Sequence, residues 1–211
     1  MSGEVTVNIA RCHYPVRGLG FGARTGIWLQ GCTIHCPGCI VPETWDAGPQ
    51  DRVTLQALLT SLQPWIEASD GVTISGGEPF EQPAALYTLL AGLRVLSGGD
   101  LLVFSGHPWA HLRREHADIL DLCDVVISEP YVAREAAPSP LRGSKNQTVH
   151  LLTHLGRDRY RNWQDFTREA SVARDGEDLR MAGIIARPAL VSIARAISSP
   201  RRTARLTHGA V

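Results

Sequence analysis

Five short apolar runs alternate with helical patterns along most of the chain, and that alternation restricts the folds open to it. The runs are GIWLQ (26–30), GVTIS (71–75), LLVFS (101–105), DVVIS (124–128) and QTVHLL (147–152). Each is β-branched or apolar almost throughout, as strands covered on both faces are. Thr54 is placed to cap a first helix, in which Leu55, Leu58, Leu59 and Leu62 recur at i, i+3, i+4 and i+7. Pro83 suits the first turn of a second, with Leu86, Leu89, Leu90, Leu93 and Leu96 facing inward and Gly98 and Gly99 closing it. A third begins near Pro108, with Trp109, Leu112, Ile119 and Leu120 as its apolar side. Strands alternating with helices predict parallel βαβ units. The expected fold class is α/β, a partial (β/α) barrel of about five or six mostly parallel strands with a C-terminal helix and β-hairpin.

The barrel core is expected over 10–155. GRDRYRNWQDFTREA then predicts an amphipathic helix, and SVARDGEDLRMAG a hairpin with Asp175-Gly176 at its turn, the two spanning 156–190 of a domain that runs over 1–197. From Ser198 prolines and arginines without an apolar period predict a mobile tail. With 211 residues, 44% of them hydrophobic, the chain can bury one sizeable core. Its 21 basic and 21 acidic residues cancel, so the electrostatic footprint of a nucleic-acid binder is missing. No apolar run is long enough to span a bilayer, and MSGEVTVNIARC has an early acid and no apolar core of the signal-peptide kind. The expectation is a soluble cytoplasmic protein, in which clustered cysteines serve metal or redox chemistry rather than disulfides.

The unusual sequences fall at the ends of these strands. GCTIHCPGC (31–39) follows the first, SGGEP (75–79) the second, SGHP (105–108) the third and SEPY (128–131) the fourth. β/α folds build their sites at such C-terminal strand ends, so these segments are expected to converge. RGSKNQ (142–147) is the exception, because it leads into the start of the fifth strand.

Thiolates select zinc or iron–sulfur clusters. Cys32, Cys36 and Cys39 are spaced C-x3-C-x2-C, with Pro37-Gly38 supplying a turn that wraps the backbone around a compact object. Structural zinc would need a fourth ligand. His35 is poorly placed beside Cys36, and Cys12 or His13 would have to fold back. A cubane cluster held by three cysteines instead keeps one iron open, as a catalytic site does.

The cysteine spacing followed by ISGGEPF resembles the radical S-adenosylmethionine (SAM) superfamily. GIWLQGCTIHCPGC, SGGEP and LRGSKNQ, in that order, resemble its small activating enzymes of glycyl-radical enzymes, above all the activase of anaerobic ribonucleotide reductase. The resemblance covers about 10–155. It implies that Cys32, Cys36 and Cys39 hold a [4Fe-4S] cluster whose unique iron is chelated by SAM. It implies that Gly76, Gly77, Glu78 and Pro79 lie along the methionine moiety, the glycines letting backbone approach the ligand. Gly38 matches the proline-glycine form of these activases, and Ser105 and Gly106 match a second ligand-facing loop. Ile40 stands where the reductase activase tends to carry an aromatic, so Ile40 or Trp28 would pack on the adenine. SEPY replaces an Asp-Gly-Pro-aromatic pattern. Arg142, Asn146 and Gln147 would either bind SAM or the partner, or tie their loop to the next strand.

The implied activity is reductive cleavage of SAM to a 5′-deoxyadenosyl radical that takes hydrogen from a glycine in a partner glycyl-radical enzyme. Flavodoxin or ferredoxin is the implied reductant, and neither membrane nor nucleic acid is an expected partner. No general acid or base is required. A tailoring enzyme acting on a peptide or metabolite is the alternative, and a non-catalytic metal or electron-transfer module a third reading. Cys12 and Cys123 read as isolated packing residues. The histidines read as scattered, with His107 the one beside a candidate loop.

Overall fold

The computed structural model describes residues 4–167, 171–175 and 178–183. The chain enters through β1 (Thr6–Val16) and β2 (Arg24–Leu29), then β3 (Arg52–Thr54) and α1 (Leu55–Glu67). Next come β4 (Gly71–Gly76), α2 (Pro83–Leu96), β5 (Asp100–Phe104), α3 (Trp109–Glu115), α4 (Ala117–Leu120) and β6 (Val125–Ser128). A small hairpin, β7 (Ala136–Ser139) and β8 (Arg142–Ser144), leads to β9 (Thr148–Leu151) and α5 (His154–Tyr160), and β10 (Ser171–Asp175) pairs with β11 (Asp178–Ala182).

Seven strands form one open sheet in the order β3-β1-β2-β4-β5-β6-β9. Its centre, β2-β4-β5-β6, is parallel as the alternation predicts. Two edges differ from expectation. β9 runs antiparallel to β6, pairing Ser128 with Thr148 and Val125 with Leu151. A parallel return needs a crossover, usually a helix, back to the other end of the sheet, and here residues 129–147 instead form a 3-10 turn and the β7–β8 hairpin, so the chain doubles back. β1 was not foreseen. Its Arg11 and His13 are half-buried among apolar neighbours, which blurs the apolar signature of a central strand, and it pairs antiparallel with β2 and β3. The third helix is also divided, with His116 at φ −137° separating α3 from α4.

Each strand sends alternate residues to opposite faces. On one, Ile27, Leu29, Val72, Ile74, Leu101, Val103 and Val126 meet the leucine faces of α1 and α2. Thr54 caps α1 as expected, its Oγ1 accepting from Ala57 N at 3.2 Å. The opposite face carries Leu102, Val125 and Ile127 beneath Leu141, Tyr160 and Phe166.

Near the N-terminal ends of the parallel strands, the fully buried Arg24 grips Asp100 through two bonds of 3.0 and 2.8 Å, and Tyr160 Oη donates to the same carboxylate at 3.0 Å. Removing one member of a buried ion pair strands the other charge. Asp100→Ala is therefore expected to lower stability by about 3–5 kcal/mol, read as a lower urea midpoint. The expected C-terminal helix appears as α5 followed by a 3-10 turn at Trp163–Asp165, and the hairpin pairs Asp175 with Asp178. The expected Gly176 turn residue and the tail from Ser198 lie outside the described residues. Among the described residues, no helix is long and apolar enough to cross a membrane.

Candidate functional site

Because β9 is antiparallel, its start lies beside the end of β6, with Thr148 opposite Ser128. RGSKNQ therefore joins the other motifs at one edge of the sheet, and the exception noted in the sequence disappears.

The cysteine loop leaves the end of β2 and is tied at its neck. Gly31 N donates to Thr44 O at 2.8 Å and Cys32 N to Trp45 O at 2.9 Å. The buried Gln30 side chain reaches Glu43 O and Asp46 O at 2.8 and 2.6 Å. Within the loop Gly38 has φ +84°, a left-handed turn that glycine adopts without strain, and Cys39 N closes onto Cys36 O at 2.9 Å. His35 lies at φ 47° with its ring stacked 4.6 Å from Trp45. All three loop cysteines are free and half-buried.

SGGEP is bolted to that loop by backbone. Gly77 N donates to Leu29 O and Glu78 N to Gly31 O, both at 2.8 Å. A Cβ on Gly77 would sit 2.0 Å from Gly31 O, and one on Gly76 2.4 Å from Leu29 N and O. The glycines thus admit the end of β2 and the first residue of the cysteine loop, where the sequence suggested they would admit a ligand. Glu78 is 1% exposed and turns toward SGHP. Ser105 Oγ donates to its Oε1 at 2.9 Å, Gly106 N to its Oε2 at 2.7 Å, and Phe80 N to Oε1 at 3.0 Å. Pro79 is buried at the first position of the short 3-10 turn Pro79–Glu81.

Burial pushes the Glu78 carboxyl from 4.5 up to about 7, against the pull of its bonds from Phe80, Gly106 and Ser105. With the folded value above the unfolded one, the folded protein binds the extra proton. This group's contribution to stability then falls as pH rises from about 4.5 through about 7. In cluster-free protein, the unfolding free energy of wild type minus that of Glu78→Gln should fall between about pH 5 and pH 8, measured by urea titration. A difference that does not change with pH would speak against the buried carboxyl.

SEPY and RGSKNQ tie to each other. Gln147 Nε2 donates to Glu129 O at 3.1 Å while its Oε1 accepts from Gly143 N at 2.8 Å and Ser144 N at 3.2 Å. Asn146 Nδ2 donates to Pro130 O at 2.7 Å. Arg142 donates to Gln147 O at 3.0 Å and lies over the Trp163 ring at 4.8 Å. Glu129 has φ +83°, a region that favours glycine, and glycine is the residue the family pattern carries there. Its carboxylate accepts from Trp109 N at 2.9 Å, at the start of α3.

Three histidines are less scattered than their spacing suggested. His107 lies 4.8 Å from His111 and His111 5.8 Å from His116, ring to ring. The break in the helix at His116 hides this from a helical pattern. Of the two residues weighed for adenine packing, Ile40 is 47% exposed, whereas Trp28 is 4% exposed among Val16, Leu19 and Ala182.

A family model described as a 4Fe-4S single cluster domain matches residues 18–150. The chain belongs to this 4Fe-4S single cluster family. It is 31% identical to the anaerobic ribonucleoside-triphosphate reductase-activating protein of Haemophilus influenzae, over 65% of this chain and 94% of that protein. A shorter stretch is 39% identical to the pyruvate formate-lyase-activating enzyme of Clostridium pasteurianum, over 34% of this chain and 32% of that enzyme. Among solved structures it is similar to QueE from Escherichia coli, with a TM-score of 0.45, 17% identity, and coverage of 58% and 69% of the two chains. The resemblance to glycyl-radical-enzyme activases drawn from the motifs is borne out.

Three free, half-buried thiols on one loop are a donor set of the soft kind that suits an iron–sulfur cluster. Among the described residues, no group of three or more His, Cys, Asp or Glu is gathered for a metal ion, so the three thiols do not close on a single point. Burial pushes the Cys32 thiol up, partly offset by backbone hydrogen bonds from His35 and Ile34, and Glu78 and Glu81 add to the rise. Burial likewise raises Cys36, offset by a backbone bond from Tyr131 of SEPY. Backbone N–H groups turned toward sulfur are among the features that tune iron–sulfur clusters. Cys12 lies opposite Ile27 in β1, and Cys123 is fully buried with Sγ donating to Ile119 O, as isolated packing residues should be. Burial drives both thiols up to about 12.

Two supporting residues escaped sequence reasoning. Glu81 accepts three bonds from Thr33, and Gln82 bridges Asn8 N and Gln30 O at 2.8 and 3.1 Å. Polar side chains flanking WLQGC and GGEPF hint at such ties, but nothing local says what they reach.

Proposed function

We propose that this family member is a radical SAM activase in which Cys32, Cys36 and Cys39 hold the [4Fe-4S] cluster and SAM completes its open iron. When bound, the cluster supplies an electron that cleaves SAM to methionine and a 5′-deoxyadenosyl radical, which takes hydrogen from a glycine α-carbon of a partner glycyl-radical enzyme. A flavodoxin or ferredoxin is the reductant, in the cytoplasm. The observation that carries this reading is the direct bonding of three separate motifs. Gly77 and Glu78 hold the neck of the cysteine loop, and the Glu78 side chain holds Ser105 and Gly106.

In this arrangement the chain's own residues position and shield. Glu78 sets the spacing of two ligand-facing loops from inside the protein, so the atoms left to meet SAM come from the backbone of Gly76–Pro79 and from Ser105 and Gly106. Ile34 lies against Gly106, its Cδ1 2.8 Å from where a Cβ would stand, and helps keep water from the space between the loops. Ile40, exposed on the cysteine loop, is available to the adenine.

The test is direct. Protein reconstituted anaerobically with iron and sulfide, reduced and given SAM, is expected to release 5′-deoxyadenosine. Iron–sulfur absorbance without cleavage would reduce the protein to an electron-transfer module. Formation of a glycyl radical on a co-expressed glycyl-radical enzyme, seen by electron paramagnetic resonance, would separate the activase from a tailoring enzyme.

A further inference from the structure

We propose that Glu81 is a positioning residue for the iron–sulfur centre, clamping Thr33 so that the adjoining Cys32 is held for the cluster and a negative charge stands close to it. This rests on the reading of Cys32 as a cluster ligand. Between Cys32 and Cys36 the chain forms neither strand nor helix, and its tie by backbone is at Cys32 N, which donates to Trp45 O at 2.9 Å, so Thr33 is left to side-chain bonding. Glu81 takes that role with both carboxylate oxygens. Thr33 N donates to Oε1 at 2.9 Å and to Oε2 at 3.0 Å, and Thr33 Oγ1 donates to Oε1 at 2.7 Å. All these donors belong to the residue next to Cys32, and both oxygens act as acceptors, as an ionised carboxylate requires.

The clamp is itself anchored. Glu81 ends the 3-10 turn Pro79–Glu81, whose Pro79 and Phe80 are buried, and its N donates to Glu78 O at 3.1 Å. The next residue, Gln82, joins β1 to the residue preceding the cysteine loop through Asn8 and Gln30. Thr33 lies open to water, which weakens each bond, yet a bidentate carboxylate on a single residue keeps geometric specificity. These bonds also keep the Glu81 carboxylate at the residue adjoining Cys32. A nearby negative charge disfavours adding an electron, so it holds a cluster's reduction potential down.

Two preparations test this. In cluster-free protein, Glu81→Ala should speed amide hydrogen exchange over residues 32–36 by about tenfold while α2 amides are unchanged. Exchange equal to wild type overturns the clamp. In reconstituted protein, the same variant should lose its cluster to an iron chelator about tenfold faster, and an equal rate overturns the role in holding the ligand. Glu81→Gln keeps one acceptor oxygen and the shape but drops the charge. It should retain the cluster better than the alanine variant while shifting its midpoint potential upward, and an unshifted potential overturns the electrostatic part. If wild-type protein takes up no iron–sulfur cluster, the ligand reading itself fails, and the hydrogen-exchange result shows whether the clamp survives without it.

Discussion

Replacing any one of Cys32, Cys36 or Cys39 with alanine is expected to abolish both cluster assembly and 5′-deoxyadenosine formation. On the proposed ligation three thiolates would hold the cluster with one iron left for SAM, and two would leave it short of the ligands it needs to persist. The comparison that gives this meaning is with the other free cysteines. Cys12 sits in the β1–β2 ladder and Cys123 is fully buried beneath Ile119. Alanine at either removes a small packing group and should leave iron and sulfide content near wild type. Iron and sulfide analysis after anaerobic reconstitution, with product measured by chromatography, reads all five variants. Full cluster content in any loop variant, or its loss in Cys12→Ala and Cys123→Ala alike, would overturn the ligand assignment.

Gly77→Ala is expected to be nearly as damaging to the site, for a reason unrelated to ligand chemistry. The new methyl would stand 2.0 Å from Gly31 O and 2.7 Å from Gly31 C, both backbone atoms that cannot swing aside as a side-chain tip can. Either the bond from Gly77 N to Leu29 O or that from Glu78 N to Gly31 O must break. Overpacking of this kind costs roughly 1–3 kcal/mol in stability. Because the displaced atoms form the neck of the cysteine loop, cluster content should fall with it. Gly98→Ala is the control, since a Cβ there meets nothing within 4 Å. Urea midpoints and iron content of the two variants should separate clearly. Matching values would mean that the backbone contact at Gly77 does not govern the loop.

Much of this molecule is legible from local pattern. The runs at 71–75, 101–105 and 124–128 match β4, β5 and β6 closely, because continuous apolar stretches bounded by turn residues signal strands buried on both faces. The inward leucines of α2 follow directly from helical periodicity, with Leu86, Leu89, Leu90 and Leu93 all fully buried. β1 escaped because a strand with half-buried Arg11 and His13 alternates too imperfectly to be read, although it is paired on both sides, with β3 and β2. The direction of β9 escaped because an apolar run has no intrinsic polarity. What decides it is that residues 129–147 fold into the β7–β8 hairpin and a 3-10 turn and not into a helix that crosses back over the sheet.

The site divides along the same line. Residue chemistry alone marked the thiols of Cys32, Cys36 and Cys39 as a metal or cluster site, and motif order alone marked SGGEP and SGHP as companions to it. Neither could say that Glu78 turns inward to hold Ser105, which lies 27 residues further along, or that Glu81 reaches back 48 residues to Thr33. Nor could they say that Gly76 and Gly77 are glycines because the end of β2 and Gly31 just beyond it occupy the space a Cβ would need. The sequence by itself determined which groups can bind iron and where strands and helices lie, since donor chemistry and periodicity belong to neighbouring residues. Tertiary structure alone decided which motif supports which, because a hydrogen bond between loops exists only once the sheet has brought their ends together.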